Sequence, residues 1–515
     1  MLNRLLAHPL APWILLPALL GLGFFAGLGA LPLFDVDEGA FSAATWEMLQ
    51  RGDWITPWLY GEPRFDKPIL SYWMQALSVL TFGVNEWAFR FPSAVAASLW
   101  ALAIYRFTRR YYDQGRALMA AALATSSAGV FLIGHAATAD ALLNLFFALA
   151  LLDIYNQFRQ PKAATLYRIW LWIGLAVLTK GPIGILIPVV VSFVFYLLEG
   201  QWRSWLQSAF NPRGWLILLA VALPWYALEY LAQGQAFIDG FFLKHNIGRF
   251  TNTMEGHGGL VYYYLVVVFL IVLPFTGLLA STAATFWRNW RADPLSRFLL
   301  IWFGFVFLFF SFSSTQLPHY LLYGSTPLFI LMAKRLDEQP NAWLLVIPTA
   351  LIGLLLFFLP EVVGNALQHT KNGFQREVLA LAAQQLSAGY RLAAGLYLLA
   401  ILSGLALIKR SPRLWVMLAG FAQMGFLSLA LLPAVANIQQ QPLLEAARIA
   451  REQGETTVMW GMHMPSFEIQ RGAVTPRRAP RPGELAITHA DHLPDAPPHE
   501  LLYQRGGLAL IRRLP

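Results

Sequence analysis

The feature that most limits what this chain can fold into is a series of thirteen apolar runs. They lie near residues 11 to 32, 88 to 105, 117 to 133, 141 to 155, 169 to 178, 183 to 198, 214 to 232, 261 to 286, 298 to 312, 320 to 333, 342 to 360, 392 to 408 and 414 to 432. About 20 apolar residues cross a bilayer as a helix, and backbone in lipid must satisfy its own hydrogen bonds, which a helix does. With 57% apolar and only 13% charged residues in 515, a water-soluble surface is excluded. The expected fold is a polytopic α-helical membrane protein. The first run, Leu10 to Pro32, follows Arg4 and reads as a retained anchor. The absence of cysteine excludes disulfides, thiolate metal sites and a cysteine nucleophile.

A net charge of +9 is compatible with nucleic-acid binding, but the positions of the basic residues argue for a membrane topology instead. With the N-terminus inside, the inner connections carry Arg106, Arg109, Arg110 and Arg116, then Arg159, Lys162 and Arg168, then Arg203 and Arg213. Arg288, Arg291 and Arg297 follow, then Lys334 and Arg335, then Lys409, Arg410 and Arg413. The outer connections at 134–140 and 313–319 carry no Lys or Arg. This asymmetry is that of short cytoplasmic loops. The odd count places the C-terminal tail outside. Asp35, Asp37, Glu38, Asp66, Lys67, His135, Asp140, Lys180, Lys244, His245, Arg249, His257 and His319 then face one aqueous compartment from five loops, which suggests a shared cavity.

The first outer loop, 33–87, is not a linker. Asp35 or Asp37 is placed to cap a helix running to about Gln50, and Gly52 to stop it. Ala40, Phe41, Ala44 and Met48 would form one apolar face, laying that helix on the membrane surface. Pro68 starts a second such helix, to about Phe82. Residues 1–432 are therefore assigned to a transmembrane domain and 433–515 to a small α/β domain. In the latter, 443–453 reads as helix, Thr457 to Trp460 and Glu484 to Thr488 as strands, and Leu501 to Leu510 as strand, turn and strand around Arg505-Gly506-Gly507.

Charge is scarce, so its placement is informative. Asp37 and Glu38 stand where a helix leaves the bilayer, and Lys67, Asp140 and Lys180 stand at other exits on the same side. Helix capping and snorkelling would account for each alone. Together they mark ionisable groups at membrane depth, which are costly and tend to be functional. Lys67-Pro68 and Lys180-Gly181-Pro182 are turns that hold an ammonium in place, suited to a departing phosphate. His245 and His257, with Arg249 between them, lie in one loop where imidazoles could join Asp66 or Glu38 around a divalent metal, against the plainer reading of hydrogen-bonded loop histidines. No glycine-rich phosphate loop or nucleotide fingerprint is present, so no nucleotide cofactor is expected.

Taken together, these residues give the chain its resemblance to the lipid A aminoarabinose transferase (ArnT-like) family of GT-C membrane glycosyltransferases, relatives of the protein O-mannosyltransferases. The matching stretches are Asp37-Glu38, Glu47-Met48-Leu49, Gly52-Asp53-Trp54, Phe65-Asp66-Lys67-Pro68 with Tyr72-Trp73, Thr138-Ala139-Asp140 and Thr179-Lys180-Gly181. His245, Arg249-Phe250, Tyr262 to Tyr264, Leu317-Pro318 and Tyr320 continue the pattern, over residues 10 to 335. The resemblance implies a GT-C fold with about thirteen transmembrane helices, periplasmic juxtamembrane helices and an active site facing the periplasm of the bacterial inner membrane. It implies inverting transfer of a sugar, 4-amino-4-deoxy-L-arabinose in the namesake enzymes, from a polyprenyl-phosphate carrier to lipid A or a related envelope glycolipid. In those terms Asp37, with Glu38 and Asp140, is catalytic, and Lys67, Lys180, Arg249 and Tyr320 bind substrate. Asp66, His245 and His257 would hold a divalent Zn, Mg or Mn ion. Ala40, Phe41 and Ala43 depart from the family's first motif, which bears on the sugar and acceptor.

Two rivals remain at this level. One keeps the chemistry and makes a protein hydroxyl or another envelope glycan the acceptor. The other is a transporter or flippase for the lipid carrier. A transporter usually shows repeated halves and charges at mid-helix, whereas here the charges gather at one face.

Overall fold

The structure is a computed structural model that describes residues 6–248, 262–338 and 340–515, apart from the side chains of 246 and 247. Arg249 and His257 lie outside the described residues. Six described helices are long and apolar enough to cross a membrane, and eight spans result if each of two bent pairs counts as one. Two shorter apolar helices, Ala11–Phe25 and Ile183–Leu198, lie beside them. Large apolar side chains such as Leu216, Leu231 and Leu429 are 67, 79 and 81% exposed, a surface that lipid rather than water would cover.

Several apolar runs are broken rather than straight. The run at 117–133 bends by 66° between Gln114–Ser126 and Ala128–Gly134, and the one at 342–360 continues past a 49° bend into Leu359–His369. The long run at 261–286 breaks near Pro274 into Tyr263–Ile271 and Thr276–Ala283, as a proline without an N–H requires. The shortest expected span, 169–178, is a full helix from Ala163 to Lys180. Its polar flanks, Tyr167-Arg168 and Thr179-Lys180, hide its length from a hydropathy reading.

Both helices of the first loop form: α1 over Asp37–Arg51 and α2 over Leu70–Phe82. Gly52 ends α1 in the left-handed region at φ 66°, where its missing side chain removes the strain. The capping expectation is overturned. No side chain caps α1, because Asp35 turns away and accepts hydrogen bonds from the N–H (2.9 Å) and hydroxyl of Ser466. The expectation of a surface helix is overturned as well. Glu38 through Met48 are buried without a break, since Phe41, Ala44 and Met48 face the main core while Ala40 and Ala43 pack under Ile469. Helix α1 is sandwiched.

From α2 the chain enters the longest helix, α3, Glu86–Tyr111, capped by Asn85. Helix α4, Asp140–Arg159, packs beside it, and α5, Ala163–Lys180, packs beside α4 in turn. Beyond residue 432 the tail builds a sheet in the order β1-β2-β4-β3 from β1 (Thr457–Met459), β2 (Leu485–His489), β3 (His499–Arg505) and β4 (Leu508–Arg513). The β1–β2 pair is parallel and the others antiparallel, with Gly506 and Gly507 at positive φ in the predicted turn. A helix over Gln441–Gln453 covers the sheet, with Leu443, Ala446 and Ala450 buried in a separate core. A short helix, α6, Ser466–Arg471, presses against α1.

Candidate active site

Asp37 is the first residue of α1 and is exposed, with no hydrogen bond or ion pair to any described residue. Its neighbour Glu38, expected to share the chemistry, does something else. Glu38 is 5% exposed. Its Oε1 accepts from Arg90 Nε (2.8 Å) and the Ala137 N–H (2.7 Å), and its Oε2 from Arg90 Nη2 and the Phe34 N–H (both 2.8 Å). The bidentate fork is the strong form of this pair. Arg90 also donates to the carbonyls of Leu28, Leu31 and Pro32, so one guanidinium ties the end of the first apolar helix to α1 and α3. Glu38 fixes where Asp37 stands and has no oxygen left for a reactant.

Opposite Asp37 lies the Arg64–Lys67 turn. Asp66 receives Lys67 Nζ at 2.9 Å and Arg64 Nη2 at 3.0 Å, and Arg64 Nε donates to the Tyr72 hydroxyl (3.2 Å). Tyr72 stacks on Phe41 of α1 with ring centroids 5.3 Å apart, which sets the turn against the helix carrying Asp37. Arg64 is within electrostatic range of Asp37. It was absent from the sequence-based set, although its place three residues before Lys67 was the signal that could have found it. His245 Nδ1 stands 3.1 Å from Asp66 Oδ1 but is buried without a properly aligned hydrogen bond.

A second cluster forms where α4 begins and α5 ends. Lys180 Nζ donates to Asp140 Oδ1 at 2.7 Å and to the Tyr323 hydroxyl at 2.5 Å, and that hydroxyl donates to Asp140 at 2.8 Å. The Lys180 ammonium lies over the rings of Tyr320 (5.1 Å) and Tyr323 (5.3 Å), a placement that favours a cation. Tyr320 and Tyr323 come from the 3₁₀ turn Pro318–Gly324, where a spacing of three stacks side chains on one edge. His319 Nε2 is 3.8 Å from Asp140. His319 is also within electrostatic range of Lys180, Asp37 and Lys67, so the two clusters meet around it. Sequence reasoning placed His319 on the same side as Asp140 and Lys180 without assigning it to the site, and it passed over Tyr323.

The structure thus brings the described members of the expected set, Asp37, Asp66, Lys67, Asp140, Lys180, His245 and Tyr320, into two neighbouring clusters and gives Glu38 a structural role, while Arg249 and His257 lie outside the described residues. Among the described residues no group of three His, Cys, Asp or Glu is close enough to hold a metal; Asp66 and His245 make a pair, and His257 lies outside the described residues.

Against known proteins, residues 66–227 match the model of the dolichyl-phosphate-mannose-protein mannosyltransferase family. The chain is 31% identical over 326 residues to the undecaprenyl phosphate-alpha-4-amino-4-deoxy-L-arabinose arabinosyl transferase 2 of Proteus mirabilis, covering 62% of this chain and 58% of that one. It is 32% identical over 334 residues to the corresponding transferase of Yersinia enterocolitica, covering 63% and 60%. The alignments therefore span about three fifths of these curated relatives' length. The crystal structure of ArnT from Cupriavidus metallidurans bound to undecaprenyl phosphate superposes with a TM-score of 0.80 over 98% of both chains, at 20% identity. The chain resembles this transferase family and has its fold. The oligosaccharyltransferase of Archaeoglobus fulgidus matches more distantly, with a TM-score of 0.52 at 15% identity, covering 91% of this chain and 64% of that one. ArnT-like topology thus extends through the C-terminal sheet, beyond the stretch where the sequence resemblance was visible.

Proposed function

We propose that this protein is an inverting glycosyltransferase that moves a sugar from a polyprenyl-phosphate donor to lipid A or a related envelope glycolipid, at the periplasmic face of the inner membrane. The supporting observation is Asp37, a carboxylate unengaged by any described residue, beside a site whose other groups are cations held in place: Lys67 and Arg64 by Asp66, and Lys180 by Asp140. Preorganised cations lower the barrier for a leaving phosphate because they need no reorganisation as its charge develops. In the displacement an acceptor oxygen bonds to the anomeric carbon while the bond from that carbon to the phosphate oxygen breaks, its electron pair passing to the phosphate. If the acceptor is a hydroxyl, Asp37 takes its proton; if it is a phosphate, already anionic, Asp37 steadies the positive sugar centre. One displacement inverts the anomeric carbon. Lys67 and Lys180, with Tyr320 beside them, would hold the phosphate, and Arg249 is proposed to join them. Asp140 keeps Lys180 in position.

The sugar is proposed to be 4-amino-4-deoxy-L-arabinose on the strength of the names of the curated relatives. A second reading, with a protein acceptor, draws on the protein mannosyltransferase model matched at 66–227. For the divalent ion, Asp66 and the buried, unaligned Nδ1 of His245 supply a carboxylate and an imidazole, a donor pair that suits zinc or manganese. An ion there would add positive charge near Lys67. Elemental analysis of purified wild-type and His245→Ala protein tests this separately from activity.

The deciding experiment uses reconstituted protein with undecaprenyl-phosphate aminoarabinose and lipid A. Asp37→Asn should fold normally and lose about 10²–10⁴-fold in transfer rate, the range of positioned acid–base groups. Full activity in that variant would remove the catalytic assignment. Transfer to periplasmic protein but not to lipid A would select the second reading.

A further inference from the structure

A cavity of about 970 Å³ opens between α2, α3, α4 and α5, on the opposite side of α3 from the Glu38–Arg90 pair, and none of the residues assigned to the reaction lines it. Its walls are two helical stripes. On α3 Val95, Leu99 and Leu102 follow at steps of four and three, and on α4 Leu145, Leu149 and Leu152 repeat the pattern. These spacings put each set on one helix face, so two apolar faces line a slot instead of closing on each other. Leu99 is 48% exposed in it.

The slot is charged at one end only. Near the candidate active site it is roofed by Leu77 and Phe82 of α2 together with Ser78 and Thr81, whose hydroxyls already donate to the carbonyls of Ala88 and Leu77. One and two turns beyond Leu102, at the other end, the α3 stripe continues as Arg106 and Arg110. Both are exposed. Arg110 donates to the neutral Gln160 (2.9 Å), and neither arginine has an acidic partner among the described residues. The nearby acid, Asp153, is already held by Arg168 through two 3.0 Å hydrogen bonds. That end therefore carries two uncompensated guanidinium groups below a slot of hydrocarbon character.

The geometry points to a binding site for an anionic glycerophospholipid of the leaflet remote from the active site, its phosphate on Arg106 and Arg110 and one acyl chain running along the slot toward α2. Charge complementarity selects the occupant. A zwitterionic lipid gains little from two cations, and a lipid entering from the active-site leaflet would set its headgroup against Leu77 and Phe82.

The test is native mass spectrometry of the full-length protein, delipidated in mild detergent and titrated with phosphatidylglycerol or phosphatidylcholine of equal chain length. Wild type should retain phosphatidylglycerol about thirtyfold more tightly, the expectation for two basic side chains at a membrane surface. Arg106→Gln with Arg110→Gln, both on the exposed surface, should abolish the preference. Leu99→Trp, which fills the slot from an exposed position, should reduce phosphatidylglycerol binding with the arginines intact. Equal retention of both lipids by wild type, a preference that survives the double substitution, or unchanged binding in Leu99→Trp would each overturn the assignment.

Discussion

At the residue scale, two adjacent carboxylates have opposite fates, and the difference lies in what surrounds them. Asp37 faces the site, whereas Glu38 is buried under four hydrogen bonds, two of them from Arg90. A buried ion pair contributes little over an apolar pair of the same shape, but removing one partner strands a charge and costs about 3–5 kcal/mol. Arg90→Ala should therefore lower the yield of folded protein and its melting temperature in detergent, while Asp37→Asn leaves both unchanged and slows transfer by about 10²–10⁴-fold. If Arg90→Ala melts like wild type, the pair is not what holds α1 in place. Asp-Glu in the sequence could not distinguish these roles, because the distinction depends on Arg90, fifty-two residues from Glu38 along the chain. Tyr323 was illegible for a similar reason: in an apolar run a tyrosine reads as packing until Asp140 and Lys180 are seen on its hydroxyl.

At the scale of elements, α1 and α6 meet through carboxyl groups. Glu47 and Glu468 are both fully buried and share a hydrogen bond, and burial, together with their mutual repulsion, holds the Glu468 carboxyl well above the usual range. Arg51 approaches Glu47 at 3.7 Å, and Tyr60, in the tight hairpin Trp58–Leu59 to Glu62–Pro63, bonds His463 at 2.8 Å. Asp35 is likewise raised, to about 7, by burial, with its Ser466 hydrogen bonds pulling the other way. A carboxyl raised in the folded state contributes stability that is complete below its unfolded pKa of about 4 and lost as pH rises through the folded value. The contact between α1 and α6 should thus weaken from about pH 5 to pH 8, by about 1–3 kcal/mol. Melting temperature against pH checks this, and Glu468→Gln should flatten the slope; an equal slope in that variant would exclude the carboxyl pair as its cause. Gly39 lies in the same contact. A Cβ there would meet Asp35 Oδ1 at 2.0 Å and the Ser466 nitrogen at 2.7 Å, so Gly39→Ala should loosen the contact at every pH, seen as faster proteolysis of the C-terminal segment. The existence of α1, α2 and the sheet was legible from Gly52, Pro68 and the Arg505-Gly506-Gly507 turn. The sandwiching of α1 was not, since Ala40 and Phe41 both read as apolar while facing different partners.

At the scale of the molecule, the sequence revealed a membrane protein through its apolar runs and an inside through its arginines, but the number of crossings depends on how broken helices are counted. Gln114–Ser126 with Ala128–Gly134, bent by 66°, and Ala342–Phe357 with Leu359–His369, bent by 49°, are each long enough to cross a bilayer only as pairs. Charge placement resolves what hydropathy leaves open, because an ammonium or guanidinium avoids the bilayer centre whatever the bend beside it. In the thirteen-span reading, Glu62 in the first loop and Gly483 before β2 share one side, while Gly200, between Ile183–Leu198 and Trp202–Ala209, lies on the other. The chain contains no cysteine, so single cysteines at these three positions need no background removed. All three positions are exposed; Glu62 is replaced without strain, whereas Gly200 and Gly483 sit at φ 72° and 82° and their replacement carries a small local cost. In cells with a permeabilised outer membrane, a membrane-impermeant maleimide should label Glu62→Cys and Gly483→Cys, and should label Gly200→Cys only after the inner membrane is opened. Labelling of Glu62→Cys with protection of Gly483→Cys would put an odd number of crossings between them and make the total even. That would set the hydrogen bond from Ser466 to Asp35 across a bilayer, so the position of α6 against α1 and the odd span count stand or fall together.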